Sequence, residues 1–211
     1  WVTGETFKKA NLPKKNGQEN LLSRTTRKLC TESKLTKITA LPSLIIGQNK
    51  ATETICEEIL LSAQGLTSLD NTRPIASFLL TGPSGVGKTE TAKAVANLVA
   101  DGQIYIIDMT QFKSKDDVAR LTGSPAGYVG YGDVNPFCEF IKKHPNGVIL
   151  FDEFEKSHPD CRNILMRILD EGKFTNAKNE TFSLTNNIIF CTSNYTANTS
   201  KIGFNSDKES A

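Results

Sequence analysis

Gly82-Pro83-Ser84-Gly85-Val86-Gly87-Lys88-Thr89 sets a glycine, four intervening residues, and then a second glycine followed by lysine and threonine. These residue types suit one kind of chemistry. Glycines let successive backbone N–H groups turn inward around an anion, a lysine adds a point charge, and the hydroxyl beside it can bind a divalent cation. The spacing is that of a phosphate-binding loop, which predicts Lys88 at the β- and γ-phosphates of a bound nucleotide and Thr89 on Mg²⁺. A chance glycine turn is the alternative, and the surroundings argue against it. A short apolar run ends at Thr81 and an alanine-rich helical pattern starts at Lys88. That order directs the positive end of a helix at the same phosphates.

A second constellation is Val148-Ile149-Leu150-Phe151-Asp152-Glu153, four apolar residues followed by two acids. A buried strand that ends in acids delivers them at the carboxyl edge of a sheet, where the phosphate loop is also expected. Asp152 is expected to hold Mg²⁺, and Glu153 to orient and polarise an attacking water. By itself an Asp-Glu pair is more often a solvated turn; downstream of a phosphate loop the catalytic reading wins. Asn194 closes a third apolar run, Ile188-Ile189-Phe190-Cys191-Thr192-Ser193. Its amide can donate to a γ-phosphate or to the water, although asparagine is also a common turn residue.

The elements that must hold these groups follow from pattern. Apolar runs at 75–81, 104–108, 148–151 and 188–192 are too short for good helices and read as strands. Helical patterns at 51–64, 88–100 and 160–171 lie between them, with Gly65 and Gly172 placed as stops. Buried strands alternating with helices imply a parallel sheet covered on both faces. The expected fold is α/β, a three-layer α/β/α P-loop NTPase with a parallel central sheet of about five strands. Residues 1–43 are polar and lysine-rich and read as a linker or arm, with the core starting near Ile45; residues 44–195 read as the ATPase unit; residues 196–211 turn polar again and read as an exposed loop.

Bulk composition narrows the function. Hydrophobic content of 38% suits a globular domain. A net charge of +2 offers no electrostatic case for a nucleic acid or a membrane surface. Cys30, Cys56, Cys138, Cys161 and Cys191 are widely spaced, with no CxxC pair, and are expected to be reduced thiols in a cytosol-like compartment. Two histidines, His144 and His158, rule out a histidine-rich metal site. The chain starts at Trp1 and reads as an excerpt of a longer protein.

These residues carry a family likeness. Ile46-Gly47-Gln48, the phosphate loop, Asp108-Met109, Arg120-Leu121, Gly127-Tyr128-Val129-Gly130-Tyr131, His144-Pro145, Leu150 to Glu153, Glu155-Lys156, His158-Pro159 and Thr192-Ser193-Asn194 occur in the order found in Clp ATPases. The chain resembles their second ATPase module, of the ClpA, ClpC and ClpB type, over residues 44–195. Trp1, Thr3 and Gly4 resemble the segment leading into it. The likeness implies an AAA+ large subdomain in a homo-oligomeric ring, usually of six subunits, that uses ATP and Mg²⁺ to unfold and thread protein substrates. It places Ile45, Ile46 and Gly47 near the adenine. Pro83, Ser84, Gly85, Val86, Gly87, Lys88, Thr89 and Glu90 lie along the phosphates, and Asn194 is the first sensor. Tyr128 and Val129 resemble a pore loop, in which a large amphipathic ring can grip any backbone. Arg120 matches an arginine near the subunit interface.

Ile202-Gly203-Phe204 resembles the tripeptide by which ClpA and ClpC dock on the ClpP protease. The expected activity is therefore that of the ATP-binding subunit of a Clp protease, in the cytoplasm or a plastid stroma; a ClpB-like disaggregating chaperone and a non-catalytic nucleotide-gated scaffold are the alternatives. In relatives the arginine finger, second sensor and small helical subdomain come later than Ala211. The residues given are expected to bind ATP and hydrolyse it slowly. The run after Tyr131, Gly132-Asp133-Val134-Asn135-Pro136, departs from the family's acidic pair and two glycines, and Pro136 is placed to start a helix.

Overall fold

Along 148–151 and 188–191, every second side chain belongs to a different core. Val148, Leu150, Ile188 and Phe190 face one way. Ile149, Phe151, Ile189 and Cys191 face the other. Period-two alternation between two apolar environments is what a strand covered on both faces requires. The computed structural model describes residues 36–64, 72–124, 127 and 133–195.

In chain order the described elements are α1 (Leu41–Leu44), α2 (Asn49–Ala63), β1 (Ala76–Thr81), α3 (Lys88–Val99), β2 (Ile104–Asp108), α4 (Val118–Thr122), α5 (Pro136–Lys143), β3 (Val148–Asp152), α6 (Pro159–Glu171), β4 (Lys173–Thr175), β5 (Thr181–Ser183) and β6 (Ile188–Ser193). Short 3-10 turns follow β2 at Met109–Gln111 and β3 at Phe154–Lys156. Strands β1, β6, β3 and β2 form a sheet in that order, and every pair is parallel. Helices α1, α2 and α3 cover one face. Helices α4, α5 and α6, together with β4 and β5, cover the other. The three-layer architecture matches the expectation from sequence. Among the described residues the parallel sheet holds four strands, against the expectation of about five.

The sequence reading also places the start of the core too late. Ile38 and Leu41 are fully buried, and the Cys56 thiol donates to Ile38 O at 3.0 Å. Helix α1 spans only four residues, too few to show a period. The two-stranded ribbon of β4 and β5 was not anticipated, because three residues per strand leave no alternation to read. Its turn is built by Asn176, whose Oδ1 accepts from Lys178 N and Glu180 N at 2.9 Å each. Gly172 ends α6 at φ 58°, and a Cβ there would fall 2.2 Å from Thr72 O, so only glycine fits.

Pro136 does open α5, with Asn135 Oδ1 accepting from Phe137 N and Cys138 N. Phe137, Phe151, Phe174 and Phe190 are each buried to within 2% exposure. Rings of that size each contribute about 2–3 kcal/mol on burial. The four described cysteines are free and buried, and Cys30 lies outside the described residues. Among the described residues no helix is long and apolar enough to cross a membrane.

Candidate active site

The parallel register brings the carboxyl ends of β1, β6, β3 and β2 to one edge. Thr81 lies opposite Ser193, and Asp108 lies opposite Asp152. The chain leaves β1 through Gly82, whose N–H donates to Ser193 O at 3.2 Å. Gly85 and Gly87 then take φ of 84° and 93°, a region that side-chain-bearing residues seldom adopt. Gly87 is the N-cap of α3 and offers no side-chain cap, so the first-turn amides of that helix face the loop without one. This is the arrangement of a helix-end anion site. Ile45 packs on the same turn; a Cβ on Gly87 would meet its Cγ2 at 3.8 Å.

Lys88 Nζ donates to Gly82 O at 2.7 Å, Pro83 O at 2.8 Å and Asn194 Oδ1 at 2.8 Å. Its three N–H bonds thus span from the loop to the end of β6. The Thr89 hydroxyl lies 3.4 Å from each oxygen of Asp152. A hydroxyl and a carboxylate converging on one point are hard oxygen donors of the kind Mg²⁺ prefers. Among the described residues no three His, Cys, Asp or Glu side chains cluster as a metal cage. The donor set fits an ion held by one carboxylate and one hydroxyl, with water and phosphate completing it.

Glu153 sits in the left-handed region at φ 55°, ψ 47°. Its N–H donates to Thr192 Oγ1 at 2.9 Å, and the same hydroxyl donates to Asp152 Oδ1. The Glu153 carboxylate accepts Lys156 Nζ on Oε2 at 2.6 Å and Asn194 Nδ2 on Oε1. The Lys156 ammonium holds the Glu153 carboxyl below the usual carboxylate range, and Glu153 in turn raises Lys156. Asp108, at the end of β2, is held low by the Thr110 hydroxyl and the Gln111 amide. Glu155 Oε1 accepts Asn194 N at 3.1 Å, while its buried Oε2 has no partner among the described residues.

Beside the loop lies a cavity of about 360 Å³ between α2 and β1, walled by Gln48, Ala51, Ile55, Leu79, Leu80 and Val86 and reaching Lys88. An apolar hollow that opens on a charged loop can take a flat heterocycle at one end and phosphates at the other. Of the residues expected near the base, Ile45 is buried against the loop, Ile46 is 93% exposed, and Gly47 has φ 82°. Gln48 lines the cavity instead. Pro83 and Val86 are on its wall, and Glu90 turns outward to pair with Lys93 at 3.3 Å.

The fold therefore brings together Lys88, Thr89, Asp152, Glu153 and Asn194. Tyr128, Val129, Ile202, Gly203 and Phe204 lie outside the described residues. Arg120 donates to Gln111 Oε1 at 3.2 Å and lies 5.7 Å from the Phe112 ring centroid. Thr192, Lys156 and Glu155 stand among the motifs of the family likeness, but their contacts at the site were not anticipated; only Lys156 had a local signal, since it follows Glu153 at i+3.

A family model described as "AAA domain (Cdc48 subfamily)" matches residues 73–211. The chain is 45% identical over 152 residues to "Chaperone protein ClpB 1" of Parasynechococcus marenigrum, covering 71% of this chain and 17% of that protein. It is 44% identical over 167 residues to "Chaperone protein ClpB" of Wolinella succinogenes, covering 78% of this chain and 19% of that protein. It is 43% identical over 152 residues to "Chaperone protein ClpB4, mitochondrial" of Arabidopsis thaliana, covering 71% and 16%. The chain thus spans less than a fifth of the length of these curated relatives. On the match of that model and of these relatives, the chain belongs to the AAA domain (Cdc48 subfamily) family as a member of the Clp ATPases, and is a nucleotide-binding module.

Proposed function

We propose that this chain binds ATP with Mg²⁺ and hydrolyses it to drive a ring, of six subunits by family likeness, that unfolds and threads protein substrates. The observation that carries the reading is the meeting of Lys88, Asp152, Glu153 and Asn194 at the carboxyl ends of adjacent parallel strands. On this reading residues 44–195 are the ATPase unit, with Ile38 and Leu41 of the preceding segment packed on it.

The loop amides and Lys88 bind the β- and γ-phosphates, which compete with Gly82 O, Pro83 O and Asn194 for the ammonium. Thr89 and Asp152 would hold Mg²⁺, which when bound would supply positive charge to the phosphate oxygens. A water attacks the γ-phosphorus, the bond to the β-phosphate oxygen breaks, and ADP leaves with that electron pair. Glu153 takes the water's proton through a lone pair that Asn194 and Lys156 leave free. Asn194, bonded to both Lys88 and Glu153, stands between phosphate and base.

The test is steady-state ATP hydrolysis by the full-length protein and by Glu153→Gln. Loss of on the order of a hundredfold or more in rate with ATP binding retained is expected; equal rates contradict the reading.

For the machine's output, the relatives' printed name, a chaperone protein, favours the ClpB-like alternative. Ile202-Gly203-Phe204 favours docking on a ClpP-type protease. Changing that tripeptide to alanines separates the two. Loss of binding to a ClpP-type ring supports docking, and absence of binding in the unchanged protein supports the chaperone. A cytosolic or stromal location, with no nucleic-acid or membrane partner, goes with either.

A further inference from the structure

The geometry points to Thr192 as a positioning residue that sets both acids at once, through one buried hydroxyl. The inference rests on the hydrolytic reading above and adds a residue to it.

Thr192 is fully buried on β6, opposite Leu80 of β1. A central strand position of this kind is served by valine or isoleucine, and a hydroxyl there is costly unless bonded. Both of its bonds go to the site. Oγ1 accepts the Glu153 N–H at 2.9 Å, and its own single proton goes to Asp152 Oδ1. The direction is forced, since the amide N–H can only donate and an ionised carboxylate can only accept, which leaves the hydroxyl proton for Asp152.

Two consequences follow. One lone pair of Asp152 Oδ1 is occupied from the β6 side, which turns the rest of the carboxylate toward Thr89. The Glu153 main chain is held in the left-handed region, where a residue with a side chain stays only if its surroundings impose it. That turn aims the Glu153 carboxylate at Asn194 and Lys156. The hydroxyl's bonds end on Asp152 and on the Glu153 main chain, so Thr192 acts through those two residues.

The experiment uses the full-length protein, with kcat, KM, ATP binding by calorimetry and the melting midpoint measured on each variant. Thr192→Val keeps the shape and removes the hydroxyl. It is expected to lower kcat about tenfold or more while the ATP Kd stays within about threefold. Thr192→Ser restores the hydroxyl and is expected to recover most of that loss, a rescue that a purely packing role would not produce. Thr192→Val turning over at the wild-type rate overturns the inference, as do Val and Ser variants that are equally slow. Should the valine variant fail to melt cooperatively, Thr192→Cys, a weaker donor of similar size, is read by the same criteria. A wild-type protein that hydrolyses no ATP overturns the hydrolytic reading and this inference with it. Wild-type hydrolysis with an active Thr192→Val removes this inference alone.

Discussion

Lys88 and Asn194 meet at 2.8 Å, ammonium to side-chain carbonyl, joining the start of α3 to the residue after β6. The other end of the same amide donates to Glu153 Oε1. Asn194 therefore links Lys88, proposed to hold phosphate, to Glu153, proposed to activate water. Asn194→Ala cuts both bonds and leaves the bonds of Lys88 to Gly82 O and Pro83 O in place. Its kcat is expected to fall about tenfold or more with a smaller change in KM, as for loss of a preorganised donor. Steady-state kinetics on the full-length protein check this; an unchanged kcat would remove Asn194 from the mechanism.

Gly172 carries a stability prediction. Its φ of 58° and the 2.2 Å approach of a would-be Cβ to Thr72 O act together. Gly172→Ala is expected to cost about 2 kcal/mol or more, from backbone strain plus overpacking. Denaturant midpoints of wild type and variant measure it. Since Gly172 lies at the far end of α6 from Glu153, ATP affinity should be unchanged in the folded variant.

Cys191 carries a pH prediction. Burial pushes its thiol up to about 12. Its folded value lies above the unfolded one, so the contribution to stability is complete below about pH 8.5, the free-thiol value, and is lost as pH rises through the folded value. Cys191 is expected to resist alkylation at pH 8 in the native protein and to react fully in denaturant. Cys56, Cys138 and Cys161, also raised by burial, should follow it. Mass spectrometry of labelled peptides reads all four.

The legibility of this chain divides along physical lines. Strands β3 and β6 were readable because both faces of each are buried, which writes a continuous apolar run into the sequence. The phosphate loop was readable because its spacing is local and its glycines are required by backbone angle. Strands β4 and β5 and helix α1 were not, since three or four residues hold less than one full pattern. At the site, Lys88, Asp152 and Glu153 were legible by type and neighbour. The bonds of Thr192 to Asp152 and Glu153 were not, because they depend on the register of β3 against β6. Register is set by packing across the sheet and not by either strand alone.

The central claim is that nucleotide phosphates lie against Lys88 and the amides around it. Calorimetric titration of ATP with Mg²⁺ into the full-length protein and into Lys88→Ala tests it most directly. If related modules elsewhere in the protein also bind, the number of sites is read alongside affinity. Saturable binding is predicted for the wild type. For the variant, this site should weaken on the order of tenfold to a hundredfold, about 1.4–2.8 kcal/mol. Titration curves that coincide in affinity and in number of sites would contradict the account.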